Sequence, residues 1–183
     1  MKLLVLGGTA FLGRAIAQYA VRAGHDVTCL ARGSAPVPAG AGLVVGDRDR
    51  DDAFNGVGDE TWDAVIDVTR HPGQARRAVR TLAARHRVFV SSGNVYRRFD
   101  QPGQSEDAPT LEPLAEDVMA DMTDYGAAKV ACENAIREES SSHTIIRSGL
   151  IGGDGDWSGR SGYYPWRFAH PTGPEVLVPP DLT

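Results

Sequence analysis

Tyr125 and Lys129 stand four residues apart in the run DYGAAKVACENAIREES. On a helix that spacing puts both side chains on one face, one turn apart. A phenol beside an ammonium gives a proton to a developing alkoxide, or takes one from an alcohol, more readily than an isolated tyrosine. With a nicotinamide ring alongside, that is oxidoreductase chemistry. Ser92, in the run VFVSSGNVY, is placed to orient a substrate hydroxyl or carbonyl near Tyr125. Lys129 is suited to bind the nicotinamide ribose hydroxyls and to lower the phenol pKa.

These residues need a scaffold, and the hydrophobic pattern supplies one. Lys2 to Leu6 reads as a strand without alternation, as expected when both faces are buried. A helical stripe through Ala15, Ile16, Tyr19, Ala20 and Ala23 follows and ends at Gly24. Further strands are expected at Asp26 to Leu30, Leu43 to Val45, Ala64 to Val68, Val88 to Val90 and Thr144 to Ile146. A weakly helical piece is expected over residues 51–58, and a helix from Pro72 with the stripe Ala75, Ala78, Val79, Leu82 and Ala83. Residues 97–116, rich in Pro, Asp and Glu, read as a loop before the Tyr125 helix. This alternation predicts an α/β doubly wound parallel sheet in three α/β/α layers. Residues 1–151 form the expected dinucleotide-binding domain, and residues 152–183 the start of a truncated substrate-binding region.

Between the first strand and the first helix lie Gly7, Gly8, Thr9, Ala10, Phe11, Leu12 and Gly13, where a pyrophosphate meets a helix N-terminus. Gly7 permits a tight turn and Gly13 a close helix packing. The absence of a following GK[ST] excludes a Walker A loop. After the second strand stand Ala31, Arg32 and Gly33, not an acid that would accept ribose hydroxyls and repel a 2′-phosphate. A guanidinium pairs with phosphate, so Arg32 favours NADP over NAD. Asp47 is the candidate for the adenine amino group, Arg48 for added charge near the adenine or 2′-phosphate, and Val68 for cofactor contact where the fourth strand ends.

The elements GGTAFLG at 7–13, GDR at 46–48, SSGNVY at 91–96, YGAAK at 125–129 and IIRSGLIGG at 145–153 together resemble the extended short-chain dehydrogenase/reductase family, the NAD(P)-dependent epimerase/dehydratase group, whose nucleotide domain is a Rossmann fold. The resemblance implies Tyr125 as general acid/base, Lys129 on the nicotinamide ribose and Ser92 assisting the substrate oxygen. It also implies that Arg147, Ser148, Gly149 and Leu150 line the nicotinamide side. Departures are Ala10 for a glycine, Ser148 where proline is frequent, Arg97 where glycine is common, and DVTRHP at 67–72 in place of an Asn- and Gly-containing turn. They point to a divergent branch, whose GGTxFxG turn also occurs in chloroplast stem-loop RNA-binding proteins. Members are typically much longer, with most of the substrate pocket built C-terminally.

The expected reaction is NAD(P)-dependent oxidoreduction or epimerisation of a hydroxyl or carbonyl substrate, with a nucleotide sugar as one candidate class. The alternative is a non-catalytic dinucleotide-binding or regulatory protein, and then an RNA-associated relative. The chain has 183 residues, a net charge of −5 and a pI near 5.5, which disfavours nucleic acid and anionic membranes as partners. No run reaches membrane-spanning length, and MKLLVLGG does not read as a signal peptide, so a cytoplasmic location is expected. A homo-oligomer is compatible with the chain. Cys29 and Cys132 read as buried thiols, and no metal site is expected, because Asp154 and Asp156 lack cation-loop spacing. His71 and Tyr96 are secondary pocket candidates, and the arginines between Arg76 and Arg87 read as a solvated face. Trp157, Tyr163, Tyr164 and Trp166 read equally as a substrate wall or as a contact for further chain.

Overall fold

The computed structural model describes residues 1–156, 158–159 and 162–175. Trp157 lies outside the described residues, as does the side chain of Tyr164. The elements run β1 (Lys2–Leu6), α1 (Phe11–Arg22), β2 (Asp26–Ala31), β3 (Gly42–Val45), β4 (Thr61–Asp67), α2 (Pro72–Thr81), β5 (Ala83–Ser92), α3 (Tyr125–Glu139), β6 (His143–Ser148) and α4 (Tyr163–Ala169). The six strands form one sheet in the order β3-β2-β1-β4-β5-β6, with every pairing parallel. The order reverses beside β1, and this puts a ligand crevice at the carboxyl ends of β1 and β4.

Alternate residues of β1 explain the layers. Leu3 and Val5 pack with Ala17 and Ala20 of α1 and with Val27, Cys29 and Ile66. Leu4 and Leu6 face the other way, onto Leu30, Phe54, Trp62, Val65 and Ala78. On that second side Ala75 and Val79 of α2 meet Cys132 and Ile136 of α3 over Phe89. A strand buried on both faces has no polar alternation, which is why LLVL is uninterrupted.

Three local expectations are corrected. Residues 51–58 form successive turns, with Asn55 N donating to Asp52 O at 3.1 Å and Val57 N to Phe54 O at 3.0 Å. Gly56, at φ +88°, turns the chain left-handed after Asn55 and stops a helix from propagating. The indole of Trp62 holds this segment through Val57 O at 3.2 Å. Next, Ala83 opens β5 directly after α2, and does not extend the helical stripe. Strand β5 is therefore much longer than its apolar centre, because polar residues at its start have specific partners. His86 meets Ser142 Oγ at 2.8 Å and Thr144 Oγ1 at 2.9 Å, and the buried Arg87 guanidinium donates to Val79 O and Leu82 O at the end of α2. Finally, the aperiodic stretch after residue 152 contains the short helix α4.

The other arginines of the 76–87 stretch face carboxylates: Arg76 pairs with Asp117, Arg77 with Asp51, Arg80 with Glu139 and Arg85 with Asp63. Among the described residues, no helix is long and apolar enough to cross a membrane.

Gly13 sets the entry of α1. A Cβ built there overlaps the carbonyl oxygen of Gly7 and lies 2.8 Å from its carbonyl carbon. The contact is with the turn backbone, which has no rotamer to yield. Gly13→Ala is expected to destabilise the fold by about 1–3 kcal/mol, measured by chemical denaturation; an unchanged midpoint would show that the turn can move aside.

Candidate active site

The turn after β1 is built for close approach. Gly7 sits at φ +89° and donates to Leu30 O at 2.9 Å, tying the turn to the end of β2. A Cβ on Gly8 would overlap the Cys29 side chain. Ala10 is the extended N-cap of α1 and offers no side-chain cap, and the first helical turn has no acid. The amides of that turn are thus left for an external anion, and nothing repels one. The methyl of Ala10, standing where a glycine was expected, is exposed and does not enter the backbone contact that Gly13 makes.

This turn borders a cleft of about 510 Å³ at the carboxyl ends of β1, β2 and β4. Gly7, Thr9, Ala10, Arg32, Asp47, Arg48 and Val68 all line it, so seven residues expected to contact a dinucleotide share one cavity. Gly8, Phe11, Leu12 and Gly13 do not line it; Gly8 and Gly13 shape the turn from behind. Arg32 is exposed at the cleft rim and has no ion-pair partner among the described residues.

Arg48 behaves differently. Its guanidinium is buried and forms a bidentate pair with Asp67, both distances 2.7 Å, and donates to Gln74 O at 3.0 Å. Its charge is balanced inside the protein, which leaves Arg32 as the exposed cation at the end of β2. Asp67, the last residue of β4, also accepts from Thr69 N at 2.9 Å and shapes the turn over the cleft. Sequence reasoning did not single out Asp67. The signal was an acid closing the apolar run Ala64–Ile66 of β4, with an arginine in the segment after β3 to meet it. His71 lines the same cleft, with Nδ1 accepting from Met119 N at 3.3 Å. Burial, and then the neighbouring Arg70, holds its pKa below the usual histidine value.

Beyond His71, the same sheet edge carries the proton-transfer candidates. Ser92 ends β5 and caps the 3-10 turn Gly93–Val95, accepting from Asn94 N at 3.2 Å. Gly126 abuts that turn: a Cβ there would overlap Asn94 O and lie 2.6 Å from Leu111 Cδ1. Helix α3 can therefore start beside the tip of β5, and Tyr125 is its first residue, half-buried. Lys129, one turn on, is 2 % exposed, and Nζ donates to Thr69 O and to Val90 O, each at 2.6 Å. It also lies 4.4 Å from the Phe89 ring centroid. Burial depresses the Lys129 pKa to about 8, partly opposed by the nearby Cys132, Asp67 and Glu133. Burial pushes the Cys132 thiol up to about 12.

Ser148 pairs in register with Ser92 and donates to Ser91 O at 3.1 Å. Gly149 faces open space and Leu150 is 67 % exposed, so the β6 tip borders the site on its far side. Tyr96 packs under the Arg147 guanidinium at 5.0 Å and bridges to Thr110. The carboxylate of Asp156 accepts from Ser158 N at 3.0 Å, and among the described residues no acidic, histidine or cysteine cluster suits a metal. On α4, Trp166 is 60 % exposed and stacks on His170.

Residues 3–78 match the model of the NAD dependent epimerase/dehydratase family. Over that stretch the chain is similar to this family. It is 30% identical to a UDP-glucose 4-epimerase of Streptomyces lividans, over 79% of this chain and 49% of that protein. It is 29% identical to a 2'-dehydrokanamycin reductase of Streptomyces kanamyceticus, over 82% of this chain and 43% of that one. The chain thus spans about half the length of the curated relatives it matches. Its fold matches the Bordetella bronchiseptica enzyme WbmH in complex with NAD+, with a TM-score of 0.70 at 16% identity, over 92% of this chain and 62% of that one. The epimerase/dehydratase fold thus accounts for the common sheet edge on which the cleft, Ser92 and α3 meet.

Lys129 makes stability depend on pH with a definite sign. Its pKa falls from 10.5 to about 8 on folding, so between these values the unfolded chain holds more protons. Its destabilising effect is fully present below about 8 and is relieved as pH rises. Cys132, raised from 9.0 to about 12, acts in the opposite sense once pH passes 9.0. Urea denaturation from about pH 7 to 9 should therefore show a component of rising stability that Lys129→Met lacks. Equal slopes in the two proteins would contradict the depressed pKa.

Proposed function

We propose that this chain binds a nicotinamide dinucleotide, with NADP preferred to NAD, and acts in oxidoreduction or epimerisation at a hydroxyl or carbonyl group. The observation that carries the proposal is the Lys129 ammonium, buried at the junction of the β4 and β5 tips on the helix that Tyr125 opens. The residues fit the cofactor: an uncapped α1 N-terminus with a glycine backbone suits a pyrophosphate, and Arg32 with Asp47 flanks the adenosine end of the cleft. When bound, the dinucleotide supplies the hydride acceptor or donor. Tyr125 Oη gives the substrate oxygen a proton as a carbonyl is reduced, or removes it as an alcohol is oxidised. Lys129 keeps a positive charge on the same helix face, one turn from Tyr125. Two of its donors hold backbone carbonyls, and the third is the one assigned to a ribose hydroxyl. Ser92 orients the substrate oxygen.

The names of the two curated relatives, an epimerase of UDP-glucose and a reductase of 2'-dehydrokanamycin, support a sugar-like hydroxyl or carbonyl as the reacting group. Nucleotide sugars are the first class to assay. The exposed Tyr163 and Trp166 of α4 suit the substrate side, where residues from 152 onward begin a substrate-binding region. The NADP preference rests on Arg32 and on the lack of an acid at the end of β2, against the NAD+ seen with WbmH.

Tyr125→Phe is expected to lower NADPH oxidation, followed at 340 nm with a carbonyl panel, or interconversion of UDP-sugars, by at least about 100-fold. Its dinucleotide dissociation constant should stay within about twofold of the parent's. Undiminished turnover would remove Tyr125 from proton transfer, and a wild-type protein that binds dinucleotide without any turnover would favour the non-catalytic reading.

Arg32→Ala is expected to weaken NADP binding by about 10–100-fold while leaving NAD nearly unchanged, as for loss of a charge-assisted phosphate contact. Titration by nicotinamide fluorescence measures both; equal losses, or none, would overturn the phosphate assignment.

A further inference from the structure

Glu133 lies one helical turn after Lys129 and is completely buried. A carboxylate there costs heavily unless each oxygen is paired. Its oxygens are paired on three sides. Ser91 Oγ donates to Oε1 at 2.5 Å from β5. From β6, Arg147 donates through Nε to Oε1 at 3.0 Å and through a terminal nitrogen to Oε2 at 2.8 Å. From α3 itself, Arg137 reaches Oε2 at 3.0 Å. The other terminal nitrogen of Arg147 donates to Glu106 O at 2.7 Å, and the guanidinium covers the Tyr96 ring. One carboxylate thus ties α3 to the tips of β5 and β6, and through Arg147 to the loop over the site.

The geometry points to Glu133 as a positioning residue: it fixes the seat of α3 against the β5 and β6 tips, and so sets where Tyr125 and Lys129 stand relative to Ser92. Ser91, its direct partner, is the neighbour of Ser92 and accepts at its carbonyl from Ser148. The alternative is a merely structural ion pair whose loss lowers stability and nothing else. The cost of misplacement at such a site is steep, because an error of about 1 Å in a reacting group can cost about 100-fold in rate. Despite its burial, the Glu133 pKa is held low by hydrogen bonds from Arg147 and Ser91 and by the charges of Arg147 and Arg137. It therefore stays an anion and adds to the field on Lys129, which also faces Asp67, Cys132 and Arg48.

The inference rests on the proposed roles of Tyr125 and Lys129, and its test separates the two. Glu133→Leu combined with Arg147→Met replaces the pair by apolar groups of similar volume, a change that buried ion pairs often tolerate without loss of stability. That double variant should keep a melting temperature near the parent's and a dinucleotide dissociation constant within about threefold, while kcat falls about 10–100-fold. A folded double variant with parental kcat overturns the inference. A second arm needs no turnover: in protein carrying 13C-labelled lysine, the Lys129 titration midpoint, about 8 in the parent, should move down in Glu133→Gln. An unmoved midpoint in folded Glu133→Gln overturns the positioning role whatever the kinetics show. If Tyr125→Phe leaves turnover untouched while the Lys129 midpoint still moves, the proton-transfer reading fails and the positioning of Lys129 by Glu133 stands.

Discussion

The site depends on one buried ammonium. Lys129 Nζ joins the carbonyl of Val90 on β5 to that of Thr69, just past β4, through a side chain that starts on α3. Three segments distant in sequence are thereby held at one edge of the sheet. A lysine is unusual in such a place, since burial opposes its charge. Two backbone carbonyls, the Phe89 ring and the nearby acids offset only part of that penalty, which is why its pKa remains low.

Much of the fold was legible because a parallel sheet buried on both faces writes itself as short apolar runs, each followed by a turn and a helix. The strand at β1, the turn at Gly7 to Gly13 and the helix opened by Tyr125 are plain for that reason. The start of β5 was not, because Arg85, His86 and Arg87 look like a solvated surface. Their partners at Asp63, Ser142, Thr144 and the end of α2 are set by tertiary contacts that no local pattern encodes. The turns at 51–58 were misread for a local reason: Asn55 and Gly56 had turn chemistry that outweighs the surrounding helical spacing.

The same distinction divides the site. Tyr125, Lys129, Ser92 and the glycine turn are recognisable from residue type and spacing. Asp67 and Glu133 are harder to read: one closes β4, the other lies within α3, and each takes its role from the arginine it meets. The two buried pairs have a common form. In each, an acid at a strand tip or on the facing helix is bidentate or nearly so with an arginine at or just past the end of another strand: Asp67 with Arg48, Glu133 with Arg147. The first braces the sheet edge at the tip of β4 and the second at the tips of β5 and β6. Planar guanidinium–carboxylate pairs suit this use, since they fix orientation as well as distance.

The pairing of Arg48 also bears on cofactor choice. Had Arg48 been free, two adjacent cations would face the adenosine end, and its contribution to phosphate recognition would be inseparable from that of Arg32. With Arg48 neutralised by Asp67, the charges lining the cleft are the exposed Arg32 and Arg70 against Asp47 and Asp49. Such a balance favours a 2′-phosphate only if Arg32 swings over it; left in solvent, the guanidinium does little to distinguish the two dinucleotides, because exposed charge is screened. The proposed preference for NADP therefore turns on the reach of the Arg32 side chain, whereas the turn proposed for the pyrophosphate is fixed by the positive φ of Gly7 and the close contacts at Gly8 and Gly13. On the proposed reading, affinity for a dinucleotide and discrimination between dinucleotides are set by different parts of the same cleft, and a substitution can alter the second without touching the first.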